Sequence, residues 1–354
     1  MKLPPLPTIS EIVRMYKLQA RKQLSQNFLL DMNLTRKIVR AAGTIKDGHV
    51  CEIGPGPGGI SRAILEQDVK GLSVVEKDRR FIPSLQMLGD ASGGKMVIYH
   101  GDILRFDMAD VFPADMKTDW EDCSPNLHII GNLPFSVSTP LIIKLLQAMS
   151  ERRGPWSLGR VKLTLTFQGE VAHRITAPPH DKERCRLSVM CQHLCKVRTK
   201  FVIPGSAFVP APKVDVGVVT FEPLVKPIIS QPFKLVEKVC RHVFHYKQKM
   251  TRKSVATLFP PDMPELTGKM FELTEVNPDI KPTKLTNEDI GRLCHIYSYI
   301  CKEHPYIANY DYRSREMKDV MRHAKDMEIS KIEQQLILGP NVDTESVIAY
   351  SNDT

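Results

Sequence analysis

At 354 residues, with 42% hydrophobic and 25% charged side chains, the chain is long enough to bury a full core and to divide into two domains. No apolar stretch reaches the roughly 20 residues of a membrane-spanning helix, which excludes a helical integral membrane protein. A formal net charge of +9 suits a polyanionic partner but excludes nothing alone. The eight cysteines form no CxxC pair, so a zinc site is not expected and a reducing compartment is the simpler reading. Cys191 and Cys195 lie in an apolar stretch and read as small core residues.

The first 23 residues carry Lys2, Arg14, Lys17, Arg21 and Lys22 against the single acid Glu11, with Ile12, Val13, Tyr16 and Ala20 spaced for one helical face. Such a segment reads either as an organelle-targeting sequence or as a basic first helix of the mature fold. From about residue 34 to residue 150 helix and strand signals alternate. Leu34, Ile38, Val39 and Ala42 form a helical stripe ended by Gly43. Residues 49–53 predict a strand running into glycines. A second strand over 72–75 ends at Glu76, a third over 96–99 runs into Gly101-Asp102, and a fourth covers 127–131. Helical patterns cover 81–88 and 141–149. This alternation predicts an α/β fold with a doubly wound parallel sheet.

Later strands are predicted over 161–167 and 214–221. After Pro223, Pro227 and Pro232 mark a linker, and helical patterns run from Phe233 to about Lys302. Within them, residues 234–253 carry seven Lys/Arg and one acid. Residues 311–335 hold six basic and six acidic side chains, which reads as a solvated helix, and the last dozen residues read as frayed. The chain thus divides into a basic segment (1–23), an α/β domain (24–223), a smaller helical domain (224–310) and a charged tail (311–354).

The chemistry gathers at strand ends. Gly54, Gly56, Gly58 and Gly59 follow the first strand and let the backbone turn tightly beside a ligand. NAD, FAD and S-adenosylmethionine folds all use such a loop. The two prolines between the glycines remove N–H donors that a pyrophosphate would need, which tilts the reading toward a ligand without phosphate. Glu76 is placed to accept from ribose hydroxyls. Asp102 is either an acceptor for the exocyclic amine of an adenine, with Ile103 against the ring, or a helix-capping aspartate. Asn132, Leu133, Pro134 and Phe135 end the fourth strand. The amide offers an acceptor, the proline stiffens the turn and leaves carbonyls free, and the phenyl ring offers a stacking face. Together they suit the two amine hydrogens of an aromatic base.

Gln26-Asn27-Phe28-Leu29, the run from Glu52 to Gly58 (EIGPGPG), Glu76, Gly101-Asp102, the Asn132–Phe135 turn and the run from Phe208 to Asp215 (FVPAPKVD) resemble the ribosomal RNA adenine N6,N6-dimethyltransferases, and in particular their animal mitochondrial branch. The resemblance spans about residue 23 to residue 221. It implies a Rossmann-like class I methyltransferase sheet, S-adenosylmethionine as cofactor, and a helical RNA-binding domain. It places Asn27, Leu29, Gly54, Glu76, Asp102 and Asn132 around the cofactor, with Lys77 and Ile103 beside its adenine. It makes Asn132, Pro134, Phe135 and Phe208 the catalytic set: the Asn132 side-chain oxygen and the Pro134 carbonyl hold the target amine, and Phe135 and Phe208 sandwich the base. Phe208 read without the family is a loop anchor. The implied substrate is a pair of adjacent adenines in the last hairpin loop of small-subunit ribosomal RNA. A mitochondrial matrix location, a monomer, the small ribosomal subunit as partner and a link to mitochondrial transcription follow in the same way. Phe135 stands where many members carry tyrosine, Val216 where serine is usual, and residues 244–253 (FHYKQKMTRK) where others carry denser arginine. Two other readings stay open: an NAD-dependent oxidoreductase on the same glycine loop, and a non-enzymatic nucleic-acid-binding factor.

Overall fold

The computed structural model describes residues 3–20 and 26–314. The end of the basic segment and nearly all of the charged tail, including most of the helix expected over 311–335, lie outside the described residues.

Seven strands form the central sheet: β1 (His49–Ile53), β2 (Gly71–Glu76), β3 (Met96–His100), β4 (Leu127–Gly131), β5 (Lys162–Gln168), β6 (Cys195–Ile203) and β7 (Val216–Pro223). Their spatial order is β3-β2-β1-β4-β5-β7-β6. The first five are parallel, and β7 runs antiparallel between β5 and β6. β1, β2 and β4 are buried along almost their whole length, as strands covered on both faces must be. Register aligns Ile53 with Val75 on one side and with Gly131 on the other, so three strand ends finish level. β6 was not expected from the sequence. It is an edge strand, with buried residues at its two ends and mostly exposed or half-buried ones between.

The sheet's two faces carry two apolar layers. Val50, Leu72 and Val74 pack under α1 (Ile9–Met15), α2 (Met32–Ala41), α3 (Gly59–Leu65) and α4 (Ile82–Ala91). Cys51, Ile53 and Val75 pack under α5 (Phe135–Ser150), α6 (Gly169–Thr176) and α7 (Arg186–Gln192). α1 is closed by a capping box between Thr8 and Glu11, and it buries Ile9 and Ile12. Arg62 donates to the Pro7 carbonyl at 2.7 Å, tying this segment to α3. α2 starts at the Asp31 cap and stops before Gly43, whose φ of +90° no other residue adopts without strain.

The helical region comprises α8 (Phe233–Val243), α9 (Thr251–Val255), α10 (Glu265–Thr274), α11 (Asn287–Glu303) and α12 (Pro305–Asn309). Its apolar faces join the α5–α7 layer in one continuous core, in which Phe221 of β7 belongs with Phe233 and Val236 of α8. Arg184 ties the two regions further. It is 0% exposed and donates to the Ala177 and Leu285 carbonyls and to the Gln192 and Asn287 side chains at 2.8–3.1 Å. No carboxylate is among these acceptors, so the charge is held by dipoles alone.

Candidate active site

The chain moves outward through β1, β2 and β3 and returns to β4 beside β1. At such a reversal the carboxyl ends of neighbouring strands open a crevice. Two adjoining clefts occupy it. Asn27, Leu29, Asn132, Phe135 and Phe208 line the first. Lys77, Asp102 and Ile103 line the second. Gln26, Gly54, Glu76, Leu133 and Pro134 face both. The structure therefore gathers all the site residues named from the sequence around one crevice.

Gly54, Gly56 and Gly58 carry φ values of +67°, +55° and +90°, which is why glycine recurs there. The loop's donors are already committed. Gly54 N–H donates to the Val75 carbonyl and Gly58 N–H to the Pro55 carbonyl, each at 3.0 Å, and Gly56 N–H donates to Glu76 Oε2 at 3.0 Å. Pro55 and Pro57 have no N–H. No amide from Gly54 to Gly58 is left to cradle a pyrophosphate. Behind the loop, Ser61 donates to the fully buried Glu52 at 2.5 Å. Burial pushes the Glu52 carboxyl up to about 8, against the Ser61 bond and with a further push from Glu76.

Glu76 also accepts from Asp78 N–H at 2.7 Å, so each of its oxygens holds one backbone donor and keeps a lone pair. Burial raises its pKa while these N–H bonds oppose the rise. Asp78 faces the same opposition: burial raises its pKa, but bonds from Arg80 and Gln26 bring it down to about 2. Asp102 pairs with Lys77 at 2.8 Å, and this bond leads in holding its carboxyl below the usual range. Asp102 also accepts from Leu104 N–H at 3.1 Å. The loop carrying Asp102 and Ile103 is anchored from α5. Lys144 donates to the Ile103, Leu104 and Phe106 carbonyls at 3.0–3.1 Å.

The turn after β4 is held by a residue that the sequence reading passed over. Thr166, 0% exposed on β5, donates to Asn132 Oδ1 at 2.9 Å and accepts from Leu133 N–H at 3.1 Å. Its signal was a hydroxyl inside a strand buried on both faces. Lys144 had a similar signal, a lone charge in an apolar helix. Pro134 departs from expectation. Its carbonyl accepts from Val137 N–H at 3.0 Å and Ser138 N–H at 3.1 Å, because α5 begins at Phe135 rather than near Leu141. Both lone pairs are taken, so Pro134 is corrected from an amine acceptor to a helix cap. The Leu133 carbonyl receives no donor among the described residues. The aromatic pair is also unequal. Phe208 is 3% exposed and sits opposite Leu29 in a two-residue ladder, forming the cleft wall, whereas Phe135 is half-buried at the start of α5.

Residues 17–300 match the family model described as ribosomal RNA adenine dimethylase. The chain belongs to the ribosomal RNA adenine dimethylase family. It is 53% identical over 332 residues to human "Dimethyladenosine transferase 1, mitochondrial", covering 92% of this chain and 96% of that protein. It is 55% identical over 313 residues to the Xenopus laevis protein of the same name, covering 88% and 91%. Among solved structures, a dimethyladenosine transferase from Plasmodium falciparum superposes with a TM-score of 0.60 at 23% identity, covering 76% of this chain and 96% of that one. The 23S rRNA methyltransferase ErmE gives 0.55 at 19%, covering 77% and 100%. These two likenesses concern the fold.

As a dimethylase of this family, the protein is a methyltransferase that uses S-adenosylmethionine. Its crevice fits that group. A carboxylate with open lone pairs stands where a ribose would lie, and the stretch from Gly54 to Gly58 beside it has all its amides committed within the protein.

Proposed function

We propose that this dimethylase converts two adjacent adenines in the 3'-terminal hairpin loop of mitochondrial small-subunit ribosomal RNA to N6,N6-dimethyladenine. It acts as a monomer on the small ribosomal subunit in the matrix. The names of its animal relatives support the compartment. The observation that carries the chemistry is the Asn132 side-chain oxygen, held by Thr166 in the wall of the first cleft, next to Leu133, which faces both clefts.

S-adenosylmethionine supplies a methyl group already activated by its sulfonium charge. Glu76 accepts from the ribose hydroxyls, and Asp102 and Ile103 take the edge and face of the adenine. In the first cleft, Asn132 Oδ1 retains one lone pair beyond the Thr166 bond and accepts one hydrogen of the target amine. The Leu133 carbonyl accepts the other. Two acceptors on the amine hydrogens aim the nitrogen lone pair across the crevice and favour the tetrahedral, positively charged nitrogen that forms as it is alkylated. That nitrogen releases its proton to solvent without a strong base. The monomethylated amine keeps one hydrogen for one acceptor, so the same site serves the second transfer.

The base leaves its stack to enter. Phe135 then supplies a ring face, a contact of about 1–3 kcal/mol. The Phe208 wall limits how deep the base travels.

The test is methyl transfer to a short ribosomal hairpin with two adjacent adenines, digested to nucleosides and weighed. N6,N6-dimethyladenosine at both positions, absent when they are guanines, is the expected result. Transfer elsewhere in the RNA, or arrest at one methyl, overturns the reading.

A further inference from the structure

Residues 26–29 line the first cleft, and Gln26 faces the second as well. Two anchors hold this stretch. At one end Phe28 and Leu29 pair with Val209 and Phe208 in the two-residue ladder. At the other stands the short helical turn Arg79–Phe81, which follows β2. Phe81 meets Phe28 edge to face, with ring centroids 5.6 Å apart. Asp78, which opens that turn and lines the second cleft, accepts from Gln26 Nε2 at 3.1 Å.

Capping the turn does not account for the rest of the arrangement. A cap needs one carboxylate oxygen on one backbone N–H, and Asp78 Oδ1 takes Arg80 N–H at 3.1 Å. The Arg80 guanidinium then grips both oxygens, Nε at 3.0 and 3.2 Å and Nη2 at 2.6 Å. Nη2 also donates to Gln26 Oε1 at 3.4 Å, so both ends of the Gln26 amide meet one ion pair. Nη1 reaches the Gln19 carbonyl at 3.0 Å, 61 positions away in the chain. The Asp78 side chain is only 5% exposed, so solvent screens this pair little. Its backbone N–H holds Glu76 Oε1 at 2.7 Å. One residue thus links the carboxylate at the ribose position to the facing wall.

We propose that Asp78 and Arg80 are positioning residues for methyl transfer. Their ion pair fixes the Gln26 side chain, and with it the 26–29 wall, so that the cleft is already formed when S-adenosylmethionine enters. A preformed wall saves the cofactor the cost of ordering it.

The test reads S-adenosylmethionine affinity by calorimetry, and melting temperature beside it, on the full chain. Gln26→Ala leaves the ion pair intact. Losing one hydrogen bond to a charged group should weaken cofactor binding roughly tenfold, with little change in melting temperature. Arg80→Gln should weaken binding by a similar factor, and the two together by no more than the larger single loss, because one acts through the other. Gln26→Glu sets a second carboxylate against Asp78 and should bind worse than Gln26→Ala. Adding Asp78→Asn to it restores one charge and one amide across the same contact, and affinity should return to within about threefold of wild type. A merely structural role would make the second substitution add to the first. Wild-type affinity in Gln26→Ala, losses that add for Arg80 and Gln26, or no recovery in the exchanged pair overturns the proposal.

Discussion

Thr166 and Asn132 are joined by a 2.9 Å hydrogen bond that crosses from β5 to the turn after β4. The same hydroxyl takes the Leu133 amide at 3.1 Å, so one buried side chain holds both acceptors proposed for the target amine. Thr166→Val keeps the volume and removes the hydroxyl. The Asn132 amide is then free to turn, and Leu133 N–H is left buried without a partner. A net hydrogen bond of about 1 kcal/mol corresponds to roughly fivefold in turnover. Single-turnover methylation should fall by about that factor or more, with S-adenosylmethionine affinity unchanged. Thr166→Ser should restore most of the rate, which a purely structural role would not produce.

Lys144 links the two halves of the crevice. Its ammonium holds three carbonyls of the loop bearing Asp102 and Ile103. Burial lowers its pKa, with Asp107 and Asp102 acting against that shift. Lys144→Met should release the loop. Bonds to a charged donor contribute about 1.5–3 kcal/mol, so calorimetry should show S-adenosylmethionine binding at least tenfold more weakly. Turnover at saturating cofactor should stay near wild type.

Glu52 gives the fold a pH signature. Its carboxyl titrates near 8 when folded and near the ordinary 4.5 when unfolded. The folded state therefore holds the proton more tightly. The contribution is full below 4.5 and is lost as pH rises through about 8. Glu52→Gln keeps the neutral form at every pH. Its melting temperature relative to wild type should rise between pH 5.5 and pH 8.5, corresponding to a gain on the order of a few kcal/mol. A difference that is flat with pH would contradict the assignment.

Arg184 should be costly to remove. Arg184→Met leaves the Leu285 carbonyl and the Gln192 and Asn287 side-chain oxygens without their donor, while the Ala177 carbonyl keeps Gln192 Nε2 at 2.9 Å. Each buried unsatisfied group costs about 1–3 kcal/mol. Calorimetry should show a loss of several kcal/mol in total, with the single unfolding transition broadening or splitting.

The parallel strands were legible because burial on both faces leaves continuous apolar runs, as in 127–131, and because each strand ends at a glycine or an acid. β6 was not, since an edge strand with lysines and arginines on its solvent side carries no such run. The start of α5 was misplaced because Pro140 reads as a boundary, yet the helix passes through it. That error hid the commitment of the Pro134 carbonyl, since a sequence shows which groups lack a donor but not which acceptors are already taken. The strand-end residues of the site were readable from their order. Thr166 and Lys144 were not, because their roles lie in partners 34 and about 40 positions away.

The central claim is that Asn132 orients the target amine rather than merely shaping the cofactor cleft. Asn132→Ala, assayed by single-turnover methylation of the hairpin and by S-adenosylmethionine calorimetry, tests it most directly. Removing one preorganised group at the reacting centre costs on the order of a hundredfold in rate. The predicted result is a loss of that size in turnover with cofactor affinity within about threefold of wild type. Equal losses in both, or undiminished turnover, would contradict it.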